Sequence, residues 1–110
     1  MFADLGDDAL KFETEDLTLN SHSYGVDPAK YLTDKGLASM YKLTSISYEP
    51  EEPYRPFAAT VEGRKYPFMA TQFHPEKTTE MFNDDSGVNH SWFSINMNRY
   101  FADKFITMAR

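Results

Sequence analysis

From position 91 to the C-terminus, the apolar residues Phe93, Met97, Phe101, Phe105 and Met108 recur every three or four positions, with Trp92, Tyr100 and Ile106 widening the stripe. That is the period of one helix face. It predicts an amphipathic closing helix over 91–110 whose aromatic side is core and not a platform for a cofactor. Upstream the period changes. Tyr41 to Tyr48 and Leu17 to Asn20 alternate apolar with polar residues, and Phe57 to Glu62 and Tyr66 to Phe73 are rich in strand formers. These four stretches predict strands. Gly63-Arg64-Lys65 joins the last two at a hairpin spacing, and the second is expected to run straight into His74.

Two shorter helices are expected. Gly6-Asp7-Asp8 before Ala9, Leu10 and Phe12 reads as a capped start with acids at the positive end of a helix. Asp27-Pro28 gives an N-cap followed by a first-turn proline, with a helix over 28–35 stopped at Gly36. Glu49-Pro50-Glu51-Glu52-Pro53 is unsuited to an interior strand and reads as a loop. Helix, strand, helix, strand, hairpin, helix is an order that suits an α/β layered unit. One long and two short helices cover four strands poorly, so the layering reads as part of a larger fold.

Composition narrows the chemistry. A chain of 110 residues with 41% hydrophobic and 15% aromatic content is one globular domain by size, 1–110, and too apolar for intrinsic disorder. Its net charge of -6 disfavours nucleic acid and anionic membranes, which are bound through clustered Lys and Arg. No run is long and apolar enough for a membrane span, and Met1-Phe2-Ala3-Asp4 does not open a signal peptide. The sequence contains no cysteine, which removes disulfides, thiolate ligands and a thiol nucleophile from the chain itself. His22, His74 and His90 are too dispersed for a local metal site, so neither metal nor cofactor is expected.

His74 and Glu76 stand two apart at the end of a predicted strand, where α/β proteins place functional side chains. In extended backbone such a pair points to one side, and Pro75 ends the strand pairing between them. A carboxylate beside an imidazole can fix its tautomer and stabilise the imidazolium while the other ring nitrogen moves a proton. The same pair also fits a strand-capping histidine beside a solvated acid.

Thr71-Gln72-Phe73-His74-Pro75-Glu76-Lys77 resembles the signature of class I glutamine amidotransferase-like enzymes, a group that includes amidotransferases and gamma-glutamyl hydrolases. Leu19-Asn20-Ser21-His22-Ser23-Tyr24-Gly25-Val26, the hairpin Thr60 to Phe68, and the closing Arg99 to Phe105 with Met108-Ala109-Arg110 are similar to segments of the hydrolases. The resemblance implies an α/β fold that is the C-terminal portion of a class I glutamine amidotransferase-like layered fold. It implies a cysteine-dependent omega peptidase that trims folate polyglutamates, with His74 as general base, Glu76 as its orienting partner and His22 contacting substrate. The family's cysteine lies upstream of the matched segment, so the chain alone is expected to be inactive and to need the missing N-terminal half that bears the nucleophile. A noncatalytic remnant that binds gamma-glutamyl ligands or a partner chain, or a piece of another amidotransferase-like enzyme, are the alternative readings.

Further residues have two readings each. His22 fits a substrate contact or a loop histidine bonded to backbone beside Tyr24. His90 reads as a residue preceding the closing helix. Arg64, Lys65 and Lys77 either draw in polyglutamate carboxylates or are simply solvated. Asn89-His90-Ser91 is a glycosylation sequon at Asn89, which matters only in the secretory pathway. The resemblance implies a lysosomal, vacuolar or extracellular setting and leaves a homodimer open.

Overall fold

The computed structural model describes residues 1–83 and 87–110. In chain order it has a 3₁₀ segment at Ala3–Leu10, then α1 (Lys11–Thr14), α2 (Lys30–Thr33), α3 (Lys35–Met40), β1 (Tyr41–Tyr48), β2 (Pro56–Gly63), β3 (Met69–Thr71), α4 (Lys77–Glu80) and α5 (Trp92–Ala109). The three strands form one antiparallel sheet in the order β1-β2-β3, giving a small α/β fold. The chain divides into two compact units, His22–Gln72 with Met1, and Phe2–Ser21 with Phe73–Arg110.

In the first unit β2 is the central strand, and Phe57, Ala58, Ala59, Thr60 and Val61 are all buried. A strand covered on both faces shows continuous burial instead of alternation. Its pairing with β1 contains two opposed irregularities. Between Leu43↔Val61 and Ser45↔Thr60, β1 carries an extra residue, Thr44; between Ser45↔Thr60 and Ile46↔Ala58, β2 carries an extra residue, Ala59. At this bulge the Thr44 and Ser45 hydroxyls both hydrogen-bond the Thr60 hydroxyl, at 2.7 and 2.6 Å, which satisfies a fully buried polar side chain.

The hairpin expected after Gly63 is present, but β3 is shorter than the 66–73 stretch. The Gly63 amide donates to the Phe68 carbonyl at 2.7 Å, and Tyr66 to Phe68 belong to the turn. A Cβ at Gly63 would lie 2.5 Å from the Tyr66 carbonyl oxygen, so the turn admits only glycine there without shifting. The helix expected over 28–35 is split. Asp27 does accept from the Ala29 amide at 2.9 Å, but Asp34 leaves the helical region and caps a second helix, accepting from Leu37 at 3.0 Å. Gly36 therefore lies inside α3 and stops nothing. An aspartate that can accept locally competes with helix continuation, and here it restarts the helix instead.

In the second unit the core is aromatic. Phe101, 3% exposed, has the rings of Phe73, Phe12, Tyr100 and Phe2 at centroid distances of 5.2, 5.6, 5.6 and 6.0 Å. Edge-to-face pairs of this kind contribute about 0.5–1.5 kcal/mol each beyond the area they bury. The segment expected as a strand at Leu17 to Asn20 is no strand. The Leu17 carbonyl is taken by side chains of α5, Ser94 Oγ at 3.1 Å and Asn98 Nδ2 at 2.6 Å, and the Leu19 carbonyl by the His74 amide at 2.9 Å. With its acceptors used this way the segment is a strap, not a member of a ladder.

The acid-capped helix expected after Gly6 has no side-chain cap: the 3₁₀ segment starts earlier, at Ala3, and kinks at Gly6, whose φ is 54°. α5 forms as expected, with Ser91 accepting from the Ser94 amide at 3.1 Å. Its buried face is Ser94, Met97, Asn98 and Phe101; Phe105, Ile106 and Trp92 are exposed instead of extending the core. Among the described residues, no helix is long and apolar enough to cross a membrane.

Candidate active site

Phe73 is buried against Phe101 and anchors the start of the motif. His74 follows, its amide fixed on the Leu19 carbonyl, and the chain then turns: the Lys77 amide donates to the His74 carbonyl at 3.3 Å, and the Thr78 hydroxyl to the Pro75 carbonyl at 3.1 Å. Glu76 has helical backbone, φ -68° and ψ -29°, as the residue before α4. The two side chains therefore meet through a turn and not through the extended geometry expected of residues two apart on a strand. A proline suits the opening of a helix, where its missing donor costs nothing.

His74 Nδ1 lies 2.9 Å from Glu76 Oε1. With the carboxylate ionised, Nδ1 carries the hydrogen and donates, which leaves Nε2 of the neutral ring as the acceptor. Nε2 has no hydrogen-bond partner among the described residues, and the His74 side chain is 35% exposed. Partial burial of Glu76 by itself favours its neutral form. Its own backbone amide, the hydrogen bond from His74, and the charges of His74 and Lys77 outweigh that, so the carboxyl titrates below the usual glutamate range. The arrangement can take a proton at Nε2 and stabilise the resulting imidazolium through Glu76. The chain supplies no thiol for it to act on.

His22 belongs to the other unit. Its Nδ1 is 3.0 Å from the Tyr24 carbonyl, and its ring stands edge-on to Phe57 at 5.0 Å. The loop is held to β2 by the Ala58 amide donating to the Val26 carbonyl at 2.8 Å. Gly25 lies so close beneath Phe57 that a Cβ there would come within 2.7 Å of the phenylalanine Cβ. His90 directly precedes the Ser91 cap and stacks on Phe82 at 4.4 Å. Arg64 is occupied structurally, its Nε donating to the carbonyls of Ala38 at 2.8 Å and Tyr41 at 3.1 Å, whereas Lys65 is exposed. The Asn89 side chain is engaged at both ends, Nδ2 donating to the Asp16 carbonyl at 2.7 Å and Oδ1 accepting from the Ser91 amide at 2.9 Å. Among the described residues no cluster of His, Asp or Glu has the makings of a metal site.

The sequence did not reveal what holds these residues. Leu19 presents a carbonyl, which no side-chain pattern reports. Asn98 did leave a signal, a polar residue inside an apolar helix stripe, and it proves to be 1% exposed and bonded to Leu17.

No family model matches the chain. Curated proteins do. Gamma-glutamyl hydrolase 1 of Arabidopsis thaliana is 27% identical over 100 residues, which is 91% of this chain and 28% of its own length. The gamma-glutamyl hydrolase of Rattus norvegicus is 26% identical over 110 residues, 99% of this chain and 34% of its own. That of Homo sapiens is 26% identical over 101 residues, 92% and 31%. Across about nine-tenths of its residues the chain is thus a sequence relative of gamma-glutamyl hydrolases, and it spans about a third of their length.

Proposed function

We propose that this chain is the C-terminal portion of a cysteine-dependent gamma-glutamyl hydrolase with a class I glutamine amidotransferase-like layered fold, acting on folate polyglutamates. The observation that carries the reading is the 2.9 Å contact between His74 Nδ1 and Glu76 Oε1, inside a motif of that enzyme class and with Nε2 left to exchange a proton. In this reading a thiol on a part of the enzyme outside this chain gives its proton to His74 Nε2. The thiolate attacks the gamma-amide carbonyl, and the imidazolium returns the proton to the departing glutamate amine. Water, deprotonated by the same nitrogen, then releases the acyl group from sulfur. Glu76 holds the ring and balances its charge throughout. His22 contacts the substrate from its Phe57-backed loop.

In this reading the chain by itself, having no cysteine, does not cleave. The reading places the enzyme in a lysosome, vacuole or extracellular space. A glycan on Asn89 would use one Nδ2 hydrogen and leave the other for the Asp16 carbonyl. The test joins or mixes the chain with a cysteine-bearing N-terminal portion and follows glutamate release from a pteroyl polyglutamate. His74→Ala is expected to lower kcat/KM by about 10⁴-fold or more, as removal of a triad base does. Full turnover by that variant sinks the proposal.

A further inference from the structure

Met40, Tyr66 and Phe68 are each more than half exposed, and the three border one open cavity of about 250 Å³ in the first unit. Tyr41, Gly63 and Lys65 also line it, so its walls are the end of α3, the start of β1 and the turn from β2 to β3. Arg64 staples these walls together. Its amide donates to the Met40 carbonyl at 2.9 Å, and its Nε to the carbonyls of Ala38 at 2.8 Å and Tyr41 at 3.1 Å. The turn is closed by the Gly63 amide on the Phe68 carbonyl at 2.7 Å and the Phe68 amide on the Tyr66 carbonyl at 2.8 Å. The rings of Tyr66 and Phe68, with centroids 6.0 Å apart, are therefore carried on fixed backbone, and little ordering is left for a ligand to impose.

Size and charge select what fills the cavity. A space of about 150 Å³ admits benzene, so this one holds a single ring with a short substituent. A recess of that size suits a small molecule, whereas a protein partner covers a broad patch of several hundred Å². Lys65 is exposed at the cavity and makes no ion pair among the described residues, and no acidic side chain is among those that line it. Glu62, the nearest acid in the sequence, is paired with the Met1 ammonium. In a chain of net charge -6 this is a local cationic opening onto an apolar recess. We propose that the cavity binds a small monocyclic aromatic carboxylate, its ring against Met40, Tyr66 and Phe68 and its carboxylate on Lys65 Nζ. His74 belongs to the other unit, so the site stands whether or not the functional reading above does.

The test titrates 4-fluorophenylacetate into the nitrogen-15-labelled chain, with the fluorine resonance giving the affinity and the amide resonances the place. Saturable shifts are expected at the amides of Gly63, Lys65 and Phe68, with half-saturation at millimolar concentration or below. The neutral counterpart, 4-fluorophenylethanol, should bind at least fivefold more weakly, because it lacks the charge that Lys65 meets. Lys65→Gln should weaken binding of the carboxylate at least fivefold and remove its advantage over the alcohol. Phe68→Ala should weaken both ligands at least tenfold. Because Phe68 also belongs to the turn, Met40→Ser on α3 serves as a second variant of the apolar wall, with the same direction expected. Lys30→Gln, on α2 and outside the lining, should leave the affinity unchanged. Absence of saturable shifts at the three amides, or shifts centred elsewhere, overturns the site. Equal affinity for the acid and the alcohol, or an unchanged acid affinity in Lys65→Gln, overturns the assignment of a carboxylate.

Discussion

Asn98 connects the closing helix to the strap that holds His74, and exchanging its side chain makes the connection measurable. Nδ2 donates to the Leu17 carbonyl at 2.6 Å and the Ser94 carbonyl at 2.9 Å, while Oδ1 is buried without a hydrogen-bond partner among the described residues. Asn98→Ala loses two neutral hydrogen bonds, about 0.5–1.5 kcal/mol each. Neither acceptor is orphaned, because Leu17 keeps the Ser94 hydroxyl and Ser94 lies within the helix ladder. Removing the unpartnered Oδ1 offsets part of the loss and the space left behind adds to it, so the net cost is about 1–2 kcal/mol. Asn98→Asp is the sharper test. At neutral pH it sets an ionised oxygen where an amide hydrogen faced two carbonyls, an unpaired buried charge that costs about 3–5 kcal/mol.

Its sign with pH is fixed by the same geometry. A protonated carboxyl can donate to Leu17, so the native state raises the pKa of Asp at this site. The stability of the variant is then fully present below the unfolded aspartate value of about 3.9 and is lost as pH rises through the raised native value. Urea titrations of both variants across pH, compared as the difference between Asn98→Asp and Asn98→Ala, remove the titration of all other groups. The reasoning is refuted if Asn98→Asp stays within about 1 kcal/mol of the parent at neutral pH, a margin well below the unpaired-charge cost, or if the difference between the two variants is flat with pH.

Three further outcomes follow from the structure. His74→Ala should raise the Glu76 titration toward the ordinary glutamate range, seen by carbon-13 carboxyl shifts, because two of the influences that lower it come from the imidazole. Gly25→Ala should cost about 1–3 kcal/mol in a urea titration, the scale of overpacking, and weaken the His22 to Phe57 ring contact in proton cross-relaxation. Asp4 is held below the usual aspartate range by its hydrogen bond to Lys104 and then by that residue's charge. A depressed native pKa gives stability that is present above the unfolded aspartate value and lost as pH falls through the native one. Lys104→Met should therefore flatten the acid limb of stability below about pH 4.

The elements that could be read from the sequence are those whose pattern is local. β1 runs over the same residues as the alternation that predicted it, and the Gly63 hairpin and α5 follow their turn and period. What the sequence misjudged depends on the identity of the partner. Leu17 to Asn20 has a strand's alternation, but side chains of α5 take the carbonyl that a neighbouring strand would have used. Asp34 carries both the end of one helix and the start of the next, a role visible only once the Leu37 amide is placed. His74 and Glu76 were legible as a pair because their chemistry is encoded in residue type. The turn that joins them was not, since a proline between two polar residues suits an extended end and a helix opening alike.

The paired bulges of β1 and β2 constrain how this sequence can change length. Thr44 and Ala59 each add one residue to opposite strands, so pairing returns to its original phase at Ile46↔Ala58. Deleting Thr44 alone would push one strand a step past the other and turn its inward residues outward. Deleting Thr44 and Ala59 together leaves the β1–β2 phase intact and gives up the Thr44 hydroxyl contact with Thr60 and the Ala59 carbonyl that accepts from the Gln72 amide at 2.8 Å. Gaps in this hairpin should therefore be inherited in pairs, one on each strand, and a lone gap should be accompanied by a rebuilt Glu49 to Pro53 loop.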